Sequence, residues 1–153
     1  MDCILLCAGY ATRMYPLTEN FPKPLLQIKG KTIIDYLIDD LEKNHLIERY
    51  IIVSNHKFYS HFMDWRKSRK EDILILDDGS TYNENRLGAV KDIWFAVEQA
   101  SINDDILVLA GDNLLDFSLK GFIDFFESKN NNAVMRYFEK EIKRLQRTGV
   151  AVI

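Results

Sequence analysis

The chain has 153 residues, 47% hydrophobic and 28% charged, with a formal net charge of -3. That balance suits one globular domain with one sizeable core. Lysine and arginine are spread along the chain, so no basic block points to nucleic acid; no apolar run approaches the roughly 18 residues of a membrane span.

The opening Met1-Asp2-Cys3 lacks the basic region of a signal peptide. The expectation is a soluble, cytoplasmic protein with no membrane partner. Cys3-Ile4-Leu5-Leu6-Cys7 is a continuous apolar run, which predicts a strand covered on both faces. Its two cysteines sit four apart and face one side, so a disulfide would need a sharp bend. Two buried reduced thiols are expected instead. Ile34, Leu37, Ile38 and Leu41 fall on one helical stripe, and Tyr50-Ile51-Ile52-Val53 reads as the next strand. His45, His56 and His61 have no ligand spacing, so no zinc site is expected. A second helix carries Phe58, Phe62 and Trp65. The strand Ile73-Leu74-Ile75-Leu76 follows, then a helix with Val90, Ile93, Trp94 and Val97. Ile106-Leu107-Val108-Leu109-Ala110 is a fourth strand, and Leu119, Phe122, Ile123 and Phe126 mark a fourth helix.

Strand and helix in alternation predict an α/β fold, a doubly wound and mostly parallel sheet with helices on both faces. Ligands in such sheets bind where loops leave the carboxyl ends of strands, here after Cys7, Leu76 and Ala110. No linker, repeat or low-complexity tract interrupts residues 1–153, which read as one domain. Thr148 to Ile153 reads as a turn and a strand in which the sequence stops. A front portion of a longer protein is therefore expected, with a closing edge strand as the alternative.

The first of these loops is Ala8-Gly9-Tyr10-Ala11-Thr12-Arg13-Met14. Small residues let backbone N–H groups approach a ligand closely, and phosphate oxygens suit a nest of amides. Arg13 adds a planar cationic fork. Taken alone, the segment also fits a plain tight turn, since it matches neither the dinucleotide nor the Walker pattern. Further on, Pro22 and Pro24 flank Lys23, which should hold its backbone extended. A lysine so fixed suits a phosphate at a fixed place; an incidental lysine in a proline-rich loop is the alternative. After the fourth strand, Gly111-Asp112-Asn113 puts a carboxylate at a strand's carboxyl end. That is costly unless the group is paired or bound to a cation, and magnesium favours one or two carboxylates with phosphate oxygens. A helix cap is the alternative for Asp112.

The stretch from Cys7 to Thr18, followed by Pro22-Lys23-Pro24-Leu25-Leu26, resembles the signature of sugar-1-phosphate nucleotidyltransferases. Glucose-1-phosphate thymidylyltransferases and mannose-1-phosphate guanylyltransferases carry it. The resemblance implies a Rossmann-like nucleotide-binding domain over residues 1–153, incomplete at its C-terminus. Ala8, Gly9, Tyr10, Ala11 and Thr12 would cradle the nucleotide, Arg13 would hold the departing pyrophosphate, and Lys23 would touch phosphate at the reacting centre. Gly88 would let the base lie against the backbone, Asn83 or Asn85 would read it, and Asp112 would bind nucleotide and Mg2+. Ala11 stands where the family has glycine, and alanine is disfavoured at positive φ. Either the loop avoids that geometry or its grip is altered.

The implied partners are a nucleoside triphosphate and a phosphorylated small molecule, a sugar-1-phosphate first among them; a homo-oligomer is left open. An ionised phosphate is its own nucleophile, so no histidine or serine constellation is required. The competing readings are a cytidylyltransferase acting on phosphocholine or a similar small phosphate, and a regulatory domain that binds nucleotide without transferring it. An NAD-binding domain would need an acid after the second strand, where Ser54-Asn55-His56 stands.

Overall fold

The computed structural model describes residues 1–129, 131–136 and 138–142. The turn and strand expected at 148–153 lie outside the described residues. The chain divides into two compact units, Met1–Ser118 and Leu119–Ile153.

In the first unit, β1 (Asp2–Leu6) leads through a short hairpin, β2 (Gln27–Ile28) and β3 (Lys31–Thr32), into α1 (Ile33–Glu42). Then come β4 (Arg49–Ser54), α2 (Tyr59–Arg66), β5 (Ile73–Asp77), α3 (Ala89–Gln99) and β6 (Ile106–Ala110). The four long strands form one parallel sheet in the order β5-β4-β1-β6. The second unit contains α4 (Lys120–Lys129), with Ile123 buried.

Strands with both faces covered must be apolar at every position, and Ile51, Ile52 and Val53 are all fully buried. On one face Ile4, Ile51 and Val53 pack with Ala96 and Ala100 of the α3 segment. On the other, the Tyr50 hydroxyl donates to Glu42 Oε1 of α1 at 2.7 Å. Helices thus cover both faces, as the alternation predicts.

A reciprocal cap starts α1: Asp35 N donates to Thr32 Oγ1, and Thr32 N to Asp35 Oδ2. Its predicted stripe of Ile34, Leu37, Ile38 and Leu41 is buried throughout. Each such side chain contributes about 1.5–3 kcal/mol by leaving water. Asp35 Oδ1 also accepts Trp65 Nε1 and an Arg69 guanidinium nitrogen, which ties α1 to the end of α2.

One expected stripe is corrected. Val90 and Trp94 of α3 are exposed, at 81% and 66%, while Asp92 and Ala96 face inward. Small Ala96 and Ala100 let the helix lie close on the sheet, where an indole would not fit. The rotated face carries the carboxylate of Asp92 inside.

The strand order reverses beside β1: the chain goes first to β4 on one side and later to β6 on the other. Loops leaving β1 and β6 therefore diverge, and a crevice opens at their carboxyl ends.

Candidate active site

The loops after β1 and β6, with the start of α3, line a cleft of about 310 Å³ at this crevice. Two side chains hold the first loop from beneath. Asn55 Nδ2 donates to the Ala8 carbonyl at 3.0 Å, while Asn55 Oδ1 accepts Phe58 N. Thr18 Oγ1 donates to the Ala11 carbonyl at 2.8 Å. Asn55 and Thr18 are both fully buried. With its carbonyls held, the loop's N–H groups from Gly9 to Arg13 are committed to no acceptor among the described residues. Backbone donors seldom stay uncommitted unless water or a ligand takes them.

Ala11 answers the question its sequence posed: φ is 47° and ψ is 40°, the left-handed region. The loop keeps the geometry a glycine would favour and carries the strain of a Cβ there. Gly9 has open space where a Cβ would stand, and it is exposed beside the cleft. Tyr10 contributes only backbone: its side chain is buried and its hydroxyl donates to the Ser80 carbonyl at 2.9 Å. Thr12 and Arg13 sit on an exposed 3-10 turn, Thr12–Met14, and Arg13 is not among the residues lining the cleft.

Lys23 is not extended, contrary to expectation. Pro22 is (φ -72°, ψ 135°), but Lys23–Leu25 forms a 3-10 turn closed by Leu25 N to Pro22 O and Leu26 N to Lys23 O. Pro24 occupies an early position of that turn, where its missing N–H costs nothing. The turn delivers Lys23 Nζ to Asp112 Oδ2 at 2.8 Å, across 89 residues of sequence. Both side chains line the cleft.

Asp112 follows Gly111, whose N–H donates to the Leu6 carbonyl at 3.0 Å. A Cβ on Gly111 would stand 2.3 Å from Cys7 Sγ. A side chain there would force the Cys7 thiol to shift. Cys3 and Cys7 are free and buried, and burial pushes both thiols far above the ordinary range.

The third wall is the turn before α3. Gly88 has φ 87° and ψ 154°, a conformation almost confined to glycine, and faces open space in the cleft. It also begins the helix, its carbonyl accepting Asp92 N. The two asparagines are used elsewhere. Asn85 Oδ1 accepts Thr81 N and Tyr82 N within the turn. Asn83 Oδ1 accepts an Arg86 guanidinium nitrogen at 2.7 Å. Arg86, which the motifs did not single out, lines the cleft where neither asparagine does. Asp92 also lines it, and is only 5% exposed. Its Oδ1 is enclosed without a hydrogen-bond partner. Burial first, and the Asp78 carboxylate second, push its pKa up to about 6.

Asn55, Thr18, Arg86 and Asp92 were not assigned to the site from sequence. Thr18 lies within the quoted motif, where it is given no role. Asp92 could have been found by asking why an acid interrupts a helix face continued by Ala96 and Ala100.

A family model described as Nucleotidyl transferase matches residues 2–153. The chain is 33% identical over 125 residues to the bifunctional protein GlmU of Methanococcus vannielii, covering 82% of this chain and 28% of that protein. It thus spans less than a third of that relative's length. Among solved structures, CTP:phosphocholine cytidylyltransferase (LicC) of Streptococcus pneumoniae superposes with a TM-score of 0.59 and 27% identity, over 77% of this chain and 47% of that one. HddC from Yersinia pseudotuberculosis, solved with GMP-PN, shares the fold at a TM-score of 0.66 and 22% identity, over 82% of this chain and 53% of that one. Among the described residues no helix is long and apolar enough to cross a membrane. The match over residues 2–153, on a sheet whose switch point carries the Cys7–Leu26 signature, makes the chain a member of the nucleotidyl transferase family.

Proposed function

We propose that the cleft binds a nucleoside triphosphate with Mg2+. On this reading the chain is the nucleotide-binding part of an enzyme joining that nucleotide to a sugar-1-phosphate, giving a nucleotide-sugar and pyrophosphate. The observation that carries it is the meeting of Lys23 and Asp112 at 2.8 Å beside a loop of uncommitted amides.

A phosphate oxygen of the acceptor forms a bond to the α-phosphorus. The bond from that phosphorus to the bridging oxygen breaks, and the oxygen leaves with the electron pair as pyrophosphate. The second pKa of a phosphate is about 6, so the acceptor is ionised near neutrality and needs no general base. The protein's task is to bring two anions together and neutralise developing charge. Amides of Gly9 to Thr12 hold phosphate oxygens and Lys23 neutralises the α-phosphate; Arg13, exposed outside the cleft lining, would have to turn inward to meet the departing pyrophosphate. Gly88 gives the base a bare backbone to lie on.

Asp112 suits a hard cation: it is an oxygen donor, 42% exposed in the cleft, and its charge partner Lys23 can turn to phosphate. Mg2+ held there by Asp112 and phosphate oxygens would supply charge neutralisation. Two buried free thiols accord with the reducing cytoplasm, where nucleoside triphosphates are held.

Titration of the purified chain with magnesium nucleotides tests the reading. Saturable binding that weakens at least tenfold in Lys23→Ala is expected; binding indifferent to Lys23 would overturn it. The 27% identity to a phosphocholine cytidylyltransferase favours a second acceptor, phosphocholine with CTP. Pyrophosphate release with each acceptor in turn separates the two.

A further inference from the structure

We propose that the outer face of α3 is a self-association surface, against which a second copy of this chain lays its own α3 antiparallel about a twofold axis beside Trp94.

α3 buries one face and leaves the other uncovered. Asp92, Ala96 and Ala100 lie toward the sheet, with Ile93 and Phe95 packed against the same core. The opposite face begins with Val90, 81% exposed, and continues one turn later with Trp94, 66% exposed. Val97, half-buried, borders it a further turn on. Val90 and Val97 stand seven residues apart with Trp94 between them, the spacing of a seam between two helices. Apolar residues scattered singly over a surface need no explanation, but an indole and two valines in one row mark a contact. Tryptophan is also among the side chains most enriched as interface anchors.

The charges beside the row name the occupant. Lys91 and Glu98 each follow one of the two valines, so both stand on the same flank of the row, about 10.5 Å apart along the axis. Both are exposed, and neither has an ion-pair partner among the described residues. A twofold axis across two antiparallel helices brings the same flank of each together and reverses its order. With that axis level with the midpoint of Trp94 and Phe95, Lys91 of one copy lies opposite Glu98 of the other, and symmetry repeats the pair. The two Trp94 rings then meet at the axis. In a parallel pair the flank would instead meet the opposite flank, occupied by Ile93 and Ala100, which are turned to the protein's own core. The row is self-complementary in one orientation only, as a closed dimer requires. A surface of a single charge sign would match one of the two charged groups and repel the other. One helix of 11 residues, about 16.5 Å long, makes a small interface, so the dimer is weak and depends on concentration.

Sedimentation equilibrium of the purified chain over a range of concentrations tests this, and a monomer–dimer equilibrium is expected. Trp94→Ala should raise the dimer dissociation constant by about tenfold or more. Lys91→Glu and Glu98→Lys should each do the same, because each sets like charges against one another in both symmetric contacts. An equimolar mixture of those two variants should associate as tightly as the native chain, since one carries only acids on the flank and the other only bases. The double variant Lys91→Glu/Glu98→Lys should also recover native association. All three side chains are exposed, so far-ultraviolet circular dichroism should report an unchanged fold in every variant. Charge reversals without recovery in the mixture overturn the antiparallel pairing, and so does a dimer indifferent to Trp94. A native chain that stays monomeric at every concentration overturns self-association outright.

Discussion

Asp92→Ala should stabilise the protein at neutral pH, and the gain should vanish into acid. The ordinary carboxyl value is 3.8, and the folded protein raises Asp92 to about 6. Each unit of difference is worth about 1.36 kcal/mol between protonation states. A shift of about two units therefore costs the fold about 3 kcal/mol once the side chain is ionised. The sign follows from the direction. Folding favours the protonated form, so the cost is absent below the unfolded value near 4. It grows as pH rises to about 6 and is constant above that. Alanine removes this cost and adds up to about 0.7 kcal/mol of helix propensity, against a small loss of packing. Urea unfolding of both proteins between pH 4 and 8 measures the difference. We expect Asp92→Ala to be more stable by about 2–3 kcal/mol at pH 7.5 and nearly equal to the native chain at pH 4. A difference that does not change with pH, or a less stable variant, would refute the reasoning.

Three further outcomes follow from the loop geometry and the cleft charges. Ala11→Gly should raise stability by up to about 1 kcal/mol in denaturant titration. Left-handed backbone costs alanine about 1–2 kcal/mol, and glycine returns about 0.5–1 as unfolded-state freedom. Gly111→Ala should lower stability by about 1–3 kcal/mol, because its Cβ would meet Cys7 Sγ at 2.3 Å and the thiol can escape only by turning about one bond in a packed interior. Adding Cys7→Ala should recover most of that loss, and a double-mutant cycle with no coupling would count against the contact. Asp112→Asn should leave the unfolding midpoint nearly unchanged and abolish the magnesium dependence of nucleotide binding, read by titration with and without a chelator.

The sheet was legible because four short runs, each apolar throughout and alternating with helical patterns, fit strands covered on both faces. The stripe of α1 was legible because its large side chains have only one face to bury. The α3 stripe was not. Its periodicity weighed size, and Trp94 outweighed Ala96, whereas close packing on the sheet selects the small residue. In the site, the proline-flanked lysine drew notice for its spacing, yet its 3-10 turn depends on hydrogen bonds from Leu25 and Leu26 that no local rule supplies. Asn55 stands 47 residues from the carbonyl it holds, and its role is set by strand order alone. Asn83 is singled out by sequence as an amide before the base pocket, but its Oδ1 accepts the Arg86 guanidinium, and Arg86 lines the cleft where Asn83 does not.

Several local rules fail around the cleft. Ala11 is left-handed, Gly88 has a conformation almost confined to glycine, and Asp92 is buried with its Oδ1 unpartnered. Lys23 and Asp112 pair while partly in water, an arrangement worth about 0–1 kcal/mol to the fold. None of these features is what stability alone would choose. Two of them test this by their effect on stability. Removing Lys23 should leave the unfolding midpoint almost unchanged while nucleotide affinity falls. Removing Asp92 should raise the midpoint at neutral pH. A residue retained for the fold cannot behave like either one, so measuring both variants for stability and for nucleotide affinity decides whether these side chains serve the structure or its ligand.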